Sequence, residues 1–215
     1  MLTLYYSPLS PNARRVWVAL LEKQLDFTLE PLTLKGDQRQ PEFMVLNPFQ
    51  QIPVLLDDRF RVVESLAILD YLEARYPQPS FLPTDPQRLA VTRMVANLTD
   101  NKLLYRIGSL ITDPLDSRSY QRSLAIVSRT LSFWQELLNA DPYFGGEQLS
   151  LGDIVAGTTF PLFLRLGLDL SPYPALLQWI DRLQGRSAWQ QTTLSDAAWR
   201  EFKRRICVLV RMSRQ

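Results

Sequence analysis

Four prolines fall within the ten residues Pro77-Gln78-Pro79-Ser80-Phe81-Leu82-Pro83-Thr84-Asp85-Pro86. Each fixes its own φ and offers no backbone N–H, so neither a helix nor a central strand runs through them. The stretch reads as an extended linker, and the chain is expected to fold as two parts, one on each side of it. Ahead of it, Leu2-Thr3-Leu4-Tyr5-Tyr6 has strand composition and is broken by Ser7-Pro8. Residues 14–23 carry Val16, Trp17, Ala19, Leu20 and Leu21 at helical spacing, and residues 27–34 read as a second strand. Strand, helix and strand over about thirty residues make a βαβ unit with parallel strands. A short helical turn ends at Asn47-Pro48, Val54-Leu55-Leu56 and Phe60-Arg61-Val62-Val63 form a hairpin about Asp57-Asp58-Arg59, and residues 65–75 are helical. The order β-α-β-α-β-β-α is that of a thioredoxin-like domain.

Beyond the linker no segment reads as a strand. Residues 89–111, 120–138, 153–166, 175–185 and 195–210 all suit helices. The expected fold class is therefore α/β plus all-α, with residues 1–76 a thioredoxin-like domain, 77–87 the linker and 88–215 a helical bundle. Ser150-Leu151-Gly152-Asp153 is a capping box with Asp at its third helical position, and Leu149 and Ile154 occupy the places of a hydrophobic staple. Asp153 reads as a helix starter rather than a catalytic acid.

Composition narrows the chemistry. With no histidine, Ser-His-Asp and Cys-His mechanisms and most zinc sites are excluded. The single Cys207 makes no internal disulfide, which fits a reducing compartment. Charge is nearly balanced at +2, and the one basic cluster, Lys203, Arg204, Arg205, Arg211 and Arg214, reads as a solvated helix face and tail. The expectation is a cytoplasmic protein with no nucleic-acid partner, no membrane segment and no leader.

Three segments and the capping box carry a resemblance that covers nearly the whole chain. Tyr5 to Val16, including Ser7-Pro8-Leu9-Ser10-Pro11-Asn12-Ala13-Arg14-Arg15, resembles the first strand-to-helix turn of serine-type cytosolic glutathione S-transferases. Asn47-Pro48-Phe49-Gln50-Gln51-Ile52-Pro53 resembles their Asn-Pro-x-Gly-x-Val-Pro segment, with Gln50 where the family has Gly. Glu64-Ser65 resembles their Glu-Ser motif, and Ser150 to Asp153 their folding signature in the helical domain. The serine-type turn is similar to theta, phi and some bacterial or cyanobacterial members.

What the resemblance implies is a homodimeric enzyme that transfers the glutathione thiolate to small, mostly apolar electrophiles, in detoxification, with glutathione as co-substrate and no other cofactor. A free thiol has pKa ~8.5, and lowering it by roughly two units needs about 2.7 kcal/mol of thiolate stabilisation. One hydrogen bond to a charged acceptor supplies roughly 1.5–3 kcal/mol, and a helix N-terminus adds ~0.3–1 kcal/mol. Ser10, just before Pro11, is the candidate hydroxyl; Tyr6, at the strand end, is the rival. A hydroxyl that caps the helix is expected to compete with one that donates to sulfur, and Asn12 and Arg14 lie near enough to tune the same group. Ser7 to Ser10 has the spacing of a glutaredoxin Cys-x-x-Cys with both cysteines replaced, which disfavours thiol-disulfide exchange.

The resemblance also implies a cis Pro53, a peptide-binding main chain at Ile52, a γ-glutamyl carboxylate at Glu64 and Ser65, and a glycine carboxylate held by Gln38 and Arg39, with Gln51 as a further polar contact. The electrophile is expected between the domains near Leu9, Tyr105 and Arg106, with Trp199 and Phe202 as a cap. An interaction protein that keeps this fold without catalysis, binding a transcription or translation partner, is the alternative.

Overall fold

The computed structural model describes residues 1–213, in two compact units. The first comprises Met1–Ser80 together with Ala188–Leu194. Its sheet has the order β2-β1-β3-β4, from β1 (Leu2–Tyr6), β2 (Phe27–Pro31), β3 (Val54–Asp57) and β4 (Phe60–Val63). β1 and β2 are parallel, as the βαβ reading requires, and β1–β3 and β3–β4 are antiparallel. β2 ends sooner than expected, at Pro31, because proline has no N–H for the ladder; Leu34 beyond it has a left-handed φ of 58°.

Side chains alternate across this sheet, so paired residues share a face. Tyr5, Val54 and Val63 pair in sequence across the strands, and α2 (Pro41–Leu46) covers them through Phe43 and Leu46. The opposite face buries Leu2, Leu4 and Leu55 under α1 (Pro11–Glu22) and α3 (Ser65–Arg75), which pack on each other. Lys23, just past the end of α1, is buried with its ammonium 2.7 Å from Glu73 Oε1 on α3, and it donates to the carbonyls of Tyr76 (2.8 Å) and Pro79 (2.7 Å). The proline-rich segment is thereby pinned where it leaves α3. Far along the chain, Thr192 returns to this unit and accepts a hydrogen bond from Arg14 Nε at 3.2 Å.

The second unit runs from Phe81 to Ser187 and resumes at Ser195. Its helices are α4 (Pro86–Leu98), α5 (Tyr105–Thr112), α6 (Arg118–Leu138), α7 (Leu151–Arg165), α8 (Pro174–Gln184), α9 (Ser187–Gln191, most of which belongs to the first unit) and α10 (Asp196–Ser213). The single helix expected over residues 89–111 is interrupted by a π-helical turn, Thr99–Leu104. The buried Thr99 donates its hydroxyl to the Val95 carbonyl at 2.8 Å, and such back-bonding loosens the regular ladder. α7 begins at Leu151 rather than at residue 153, because Ser150 is the N-cap. Gly152 is needed there: a Cβ would lie 2.9 Å from the Thr92 carbonyl of α4.

Asp153 is fully buried and acts as the hub of this unit. Its carboxylate accepts from the backbone N–H groups of Phe144 (2.9 Å) and Ser150 (2.8 Å), the Ser150 hydroxyl (2.6 Å) and the Trp179 indole (2.8 Å). Both halves of the capping box are present, as read from the sequence. Burial pushes the Asp153 carboxyl above the ordinary carboxylate range even against these donors. Around it Trp134, Phe144, Phe160 and Trp179 meet edge to face, with centroids 5.2–6.5 Å apart.

On α10, Arg204 and Arg205 pair with Glu201, and Lys203 lies over the Trp199 ring, so much of the basic cluster is engaged within its own helix; Arg214 lies outside the described residues. Among the described residues no helix is long and apolar enough to cross a membrane, and no group of His, Cys, Asp or Glu side chains suits a metal ion.

Candidate functional site

The start of α1 is set by Ser10 and Pro11. Pro11 occupies the first turn, where its missing N–H costs nothing, and Ser10 is the N-cap with extended φ −97° and ψ 115°. Its Oγ accepts from Ala13 N–H at 3.2 Å. Accepting uses a lone pair and leaves the hydroxyl hydrogen free, so capping and donation to a sulfur do not compete after all. The preceding turn is closed by the Ser10 N–H, which donates to the carbonyl of the buried Ser7 at 3.0 Å, and Leu9 is half-buried within it. Tyr6, at the end of β1, places its ring edge-on to Trp17 of α1, with centroids 5.1 Å apart. Asn12 has a buried Oδ1 with no hydrogen-bond partner.

α1 also reaches a second predicted residue. Arg15, fully buried, donates from a terminal guanidinium nitrogen to Ser65 Oγ at 3.4 Å. Ser65 opens α3, and Glu64 before it is held at φ 67° and ψ 117°, an unfavourable backbone for a residue with a side chain. A buried cation beneath a helix N-terminus makes this end of α3 electropositive. Arg15 was missed as a site residue in the sequence. The available signal was a second arginine next to Arg14 amid the apolar stripe of Ala13, Val16 and Ala19, where a charge demands a polar purpose.

Asn47 shapes the loop before β3. Buried, it donates from Nδ2 to the Gln51 carbonyl (2.8 Å), accepts at Oδ1 from Phe49 N–H (3.0 Å), and accepts at its own carbonyl from Gln50 N–H (2.9 Å). The Ile52–Pro53 bond is cis, as the resemblance implied. The β1–β3 ladder ends at Tyr5–Val54, so the main chain of Ile52 lies past the last paired residue. Gln50 adopts the left-handed φ of 57° that suits glycine, the residue usual in the family at this place. The turn therefore survives the replacement by holding Gln in a conformation that costs ~1–2 kcal/mol. Part of that is offset by the entropy a glycine loses on folding, so Gln50→Gly is expected to raise stability by about 0.5–1 kcal/mol, read as a higher urea midpoint.

Gln38 and Arg39 lie in the 3-10 turn Asp37–Arg39; Gln38 Oε1 accepts from Gly36 N–H at 3.3 Å, while Arg39 is exposed, as is Gln51. A cavity of about 450 Å³ in this unit is lined by Glu30, Asp37 and Glu42, among others, a sign of charge unsuited to a peptide bearing two carboxylates. In the other unit, Tyr105 points outward at 74 % exposure, while Arg106 beside it lines a separate cleft with Lys102, Arg122 and Arg129. Trp199 and Phe202 are buried and stacked on one another at 5.4 Å.

Known proteins match this arrangement along most of the chain. Residues 4–80 match the family model "Glutathione S-transferase, N-terminal domain", and residues 118–182 match "Glutathione S-transferase, C-terminal domain". Maleylacetoacetate isomerase of Mus musculus is 32% identical over 169 residues, 75% of this chain and 78% of that protein. Glutathione S-transferase D7 of Drosophila melanogaster is 28% identical over 215 residues, covering 94% and 92%. Among solved structures, a delta-class glutathione transferase of Nilaparvata lugens superposes with a TM-score of 0.82 at 26% identity, covering 96% of this chain and 98% of its own.

Proposed function

Because the chain belongs to the cytosolic glutathione S-transferase family, we propose that it is a glutathione transferase joining the glutathione thiolate to small, mostly apolar electrophiles. The observation that carries the mechanism is the Ser10 hydroxyl, anchored at the N-cap of α1 by Ala13 N–H yet keeping its own hydrogen to donate. Together with the N-terminus of α1, that donor favours the thiolate over the thiol. Ser65, held by Arg15, and the N-terminal amides of α3 suit the γ-glutamyl carboxylate. The free main chain of Ile52 before Pro53 suits the peptide's own amide and carbonyl, and Arg39, with Gln38 and Gln51, its glycine carboxylate.

In this reading residues 1–76 hold the tripeptide, 77–87 connect, and the helical part supplies the electrophile pocket. The enzyme works as a homodimer in the cytoplasm, in detoxification, and needs no cofactor beyond glutathione. The serine hydroxyl, not Tyr6, is the activating group. Ser10→Ala is expected to move the bound thiol's pKa back towards ~8.5 and to cut turnover of an aryl chloride at neutral pH by roughly 10–100-fold. The pH–rate profile shifts to higher pH in that variant, because its thiol ionises later. Full activity in Ser10→Ala, with loss in Tyr6→Phe, would transfer the role to the phenol. Isomerisation of maleylacetoacetate is a second reading, favoured by the name of the mouse relative, and a direct assay of that conversion decides it.

A further inference from the structure

α1, α4, α6 and α7 are capped by their own sequence: Ser10, Asp85, Ser117 and Ser150 each accept from a first-turn N–H. α3 has no such cap. Its N-cap, Glu64, makes no side-chain capping bond, and its first turn holds no acidic residue. The N–H groups that open a helix have no partner inside it, so this end of α3 is left to be satisfied from outside. Arg15 reaches it from α1, as one of the largest fully buried side chains of the protein. A guanidinium held out of water is stabilised only by the polar and charged groups brought to it. Ser65 is one of these, its Oγ accepting from a terminal nitrogen of Arg15 at 3.4 Å. Accepting from a cation commits a lone pair and turns the Ser65 hydrogen away from the guanidinium, to be donated elsewhere.

Given the glutathione reading of the thiol site, we propose that Arg15 is a positioning residue that determines specificity. Through Ser65 it makes the chain select thiols that carry a free α-carboxylate on a γ-glutamyl residue. A carboxylate offers only acceptors and a negative charge, so the Ser65 hydrogen, the α3 amides and the buried cation all favour it. The corresponding carboxamide keeps one acceptor oxygen, but its charge is gone and its NH2 adds donors to a place already furnished with them. Ser10 and Arg15 stand on one helix, about 7.5 Å apart along its axis. α1 therefore holds the thiol's donor and the carboxylate's anchor in fixed register while keeping their tasks separate. Ser10 acts on the ionisation of sulfur, and Arg15 acts on affinity.

Steady-state rates of the full chain with an aryl chloride test this, comparing glutathione with its analogue amidated at the γ-glutamyl α-carboxylate. Wild type is expected to favour glutathione by roughly tenfold or more in kcat/KM, the worth of a charge-assisted contact. Arg15→Gln raises the KM for glutathione about tenfold, with the loss on KM rather than kcat, and narrows the preference to about threefold or less. Arg15→Lys keeps a cation without the planar fork and retains an intermediate preference. The pH–rate profile, which moves in Ser10→Ala, stays in place in both Arg15 variants. Both peptides are measured on the same preparation, so their ratio does not depend on how much of a variant is folded. Added to Ser65→Ala, Arg15→Gln narrows the preference less than it does alone, since the arginine acts through the serine. An undiminished preference in either Arg15 variant, a shifted pH–rate profile, or equal Arg15→Gln losses with and without Ser65 would each overturn the proposal. Wild type that turns over neither peptide would remove the glutathione reading itself, and the role of Arg15 with it.

Discussion

Asp153→Ala is expected to destabilise the helical unit by about 4 kcal/mol, among the largest effects available to one substitution in this chain. Removing the carboxylate leaves three buried N–H donors without acceptors: those of Phe144, Ser150 and the Trp179 indole. Each unsatisfied group costs about 1–3 kcal/mol, and relief from holding a charge in a fully buried position offsets part of the sum. The cap of α7 is lost in the same step, since the Asp side chain no longer reaches back to Ser150. Asp153→Asn separates the charge from the hydrogen bonds. Its oxygen can still accept from Phe144 and Trp179, while its amide faces the Ser150 N–H, so the expected cost is only about 1–3 kcal/mol. Thermal unfolding followed by tryptophan fluorescence reads both, because Trp134 and Trp179 lie in the surrounding aromatic cluster. Equal losses in the two variants would mean that charge, and not the hydrogen-bond hub, holds the unit.

The second large effect is Lys23→Met, expected to cost about 3–5 kcal/mol in the first unit. The substitution keeps the apolar stem but leaves the buried Glu73 carboxylate without this cation and the Tyr76 and Pro79 carbonyls without this donor. Adding Glu73→Gln to Lys23→Met is expected to recover part of the loss, since the stranded charge goes with it. Urea unfolding measures the stability. Limited proteolysis within residues 77–83 gives an independent readout, because the Lys23 ammonium fastens the proline-rich segment to α1. Unchanged cleavage there alongside a small stability change would show that the linker is held by its prolines alone.

Both residues show how differently parts of this protein could be read in advance. Asp153 was legible because a capping box is local: the partners lie three residues apart, and a helix start leaves the same N–H groups unsatisfied in any protein. Its bonds to Phe144 and Trp179 were not, since they join segments separated by 9 and 26 residues. Lys23 ends a helix and invites a reading as a solvated last-turn cation. Only the approach of α3 and the Pro79 carbonyl removes it from water.

The sequence by itself determined the two-part division at the prolines, the βαβ unit with its hairpin, the helix starts at Ser10 and Ser150, and the motif positions on which the proposed thiol site rests. These are matters of backbone covalency, side-chain period and hydrogen bonds over a few residues, which act before the chain is compact. Tertiary structure decided the rest. It brought Arg15 of α1 beneath Ser65 of α3, returned Thr192 to Arg14 from 178 residues away, held Gln50 left-handed in a loop organised by Asn47, and turned Arg106 into a basic cleft. Each depends on which faces meet once apolar surface is buried, and a charge or an orphaned acceptor gains its meaning only from what that burial places opposite it.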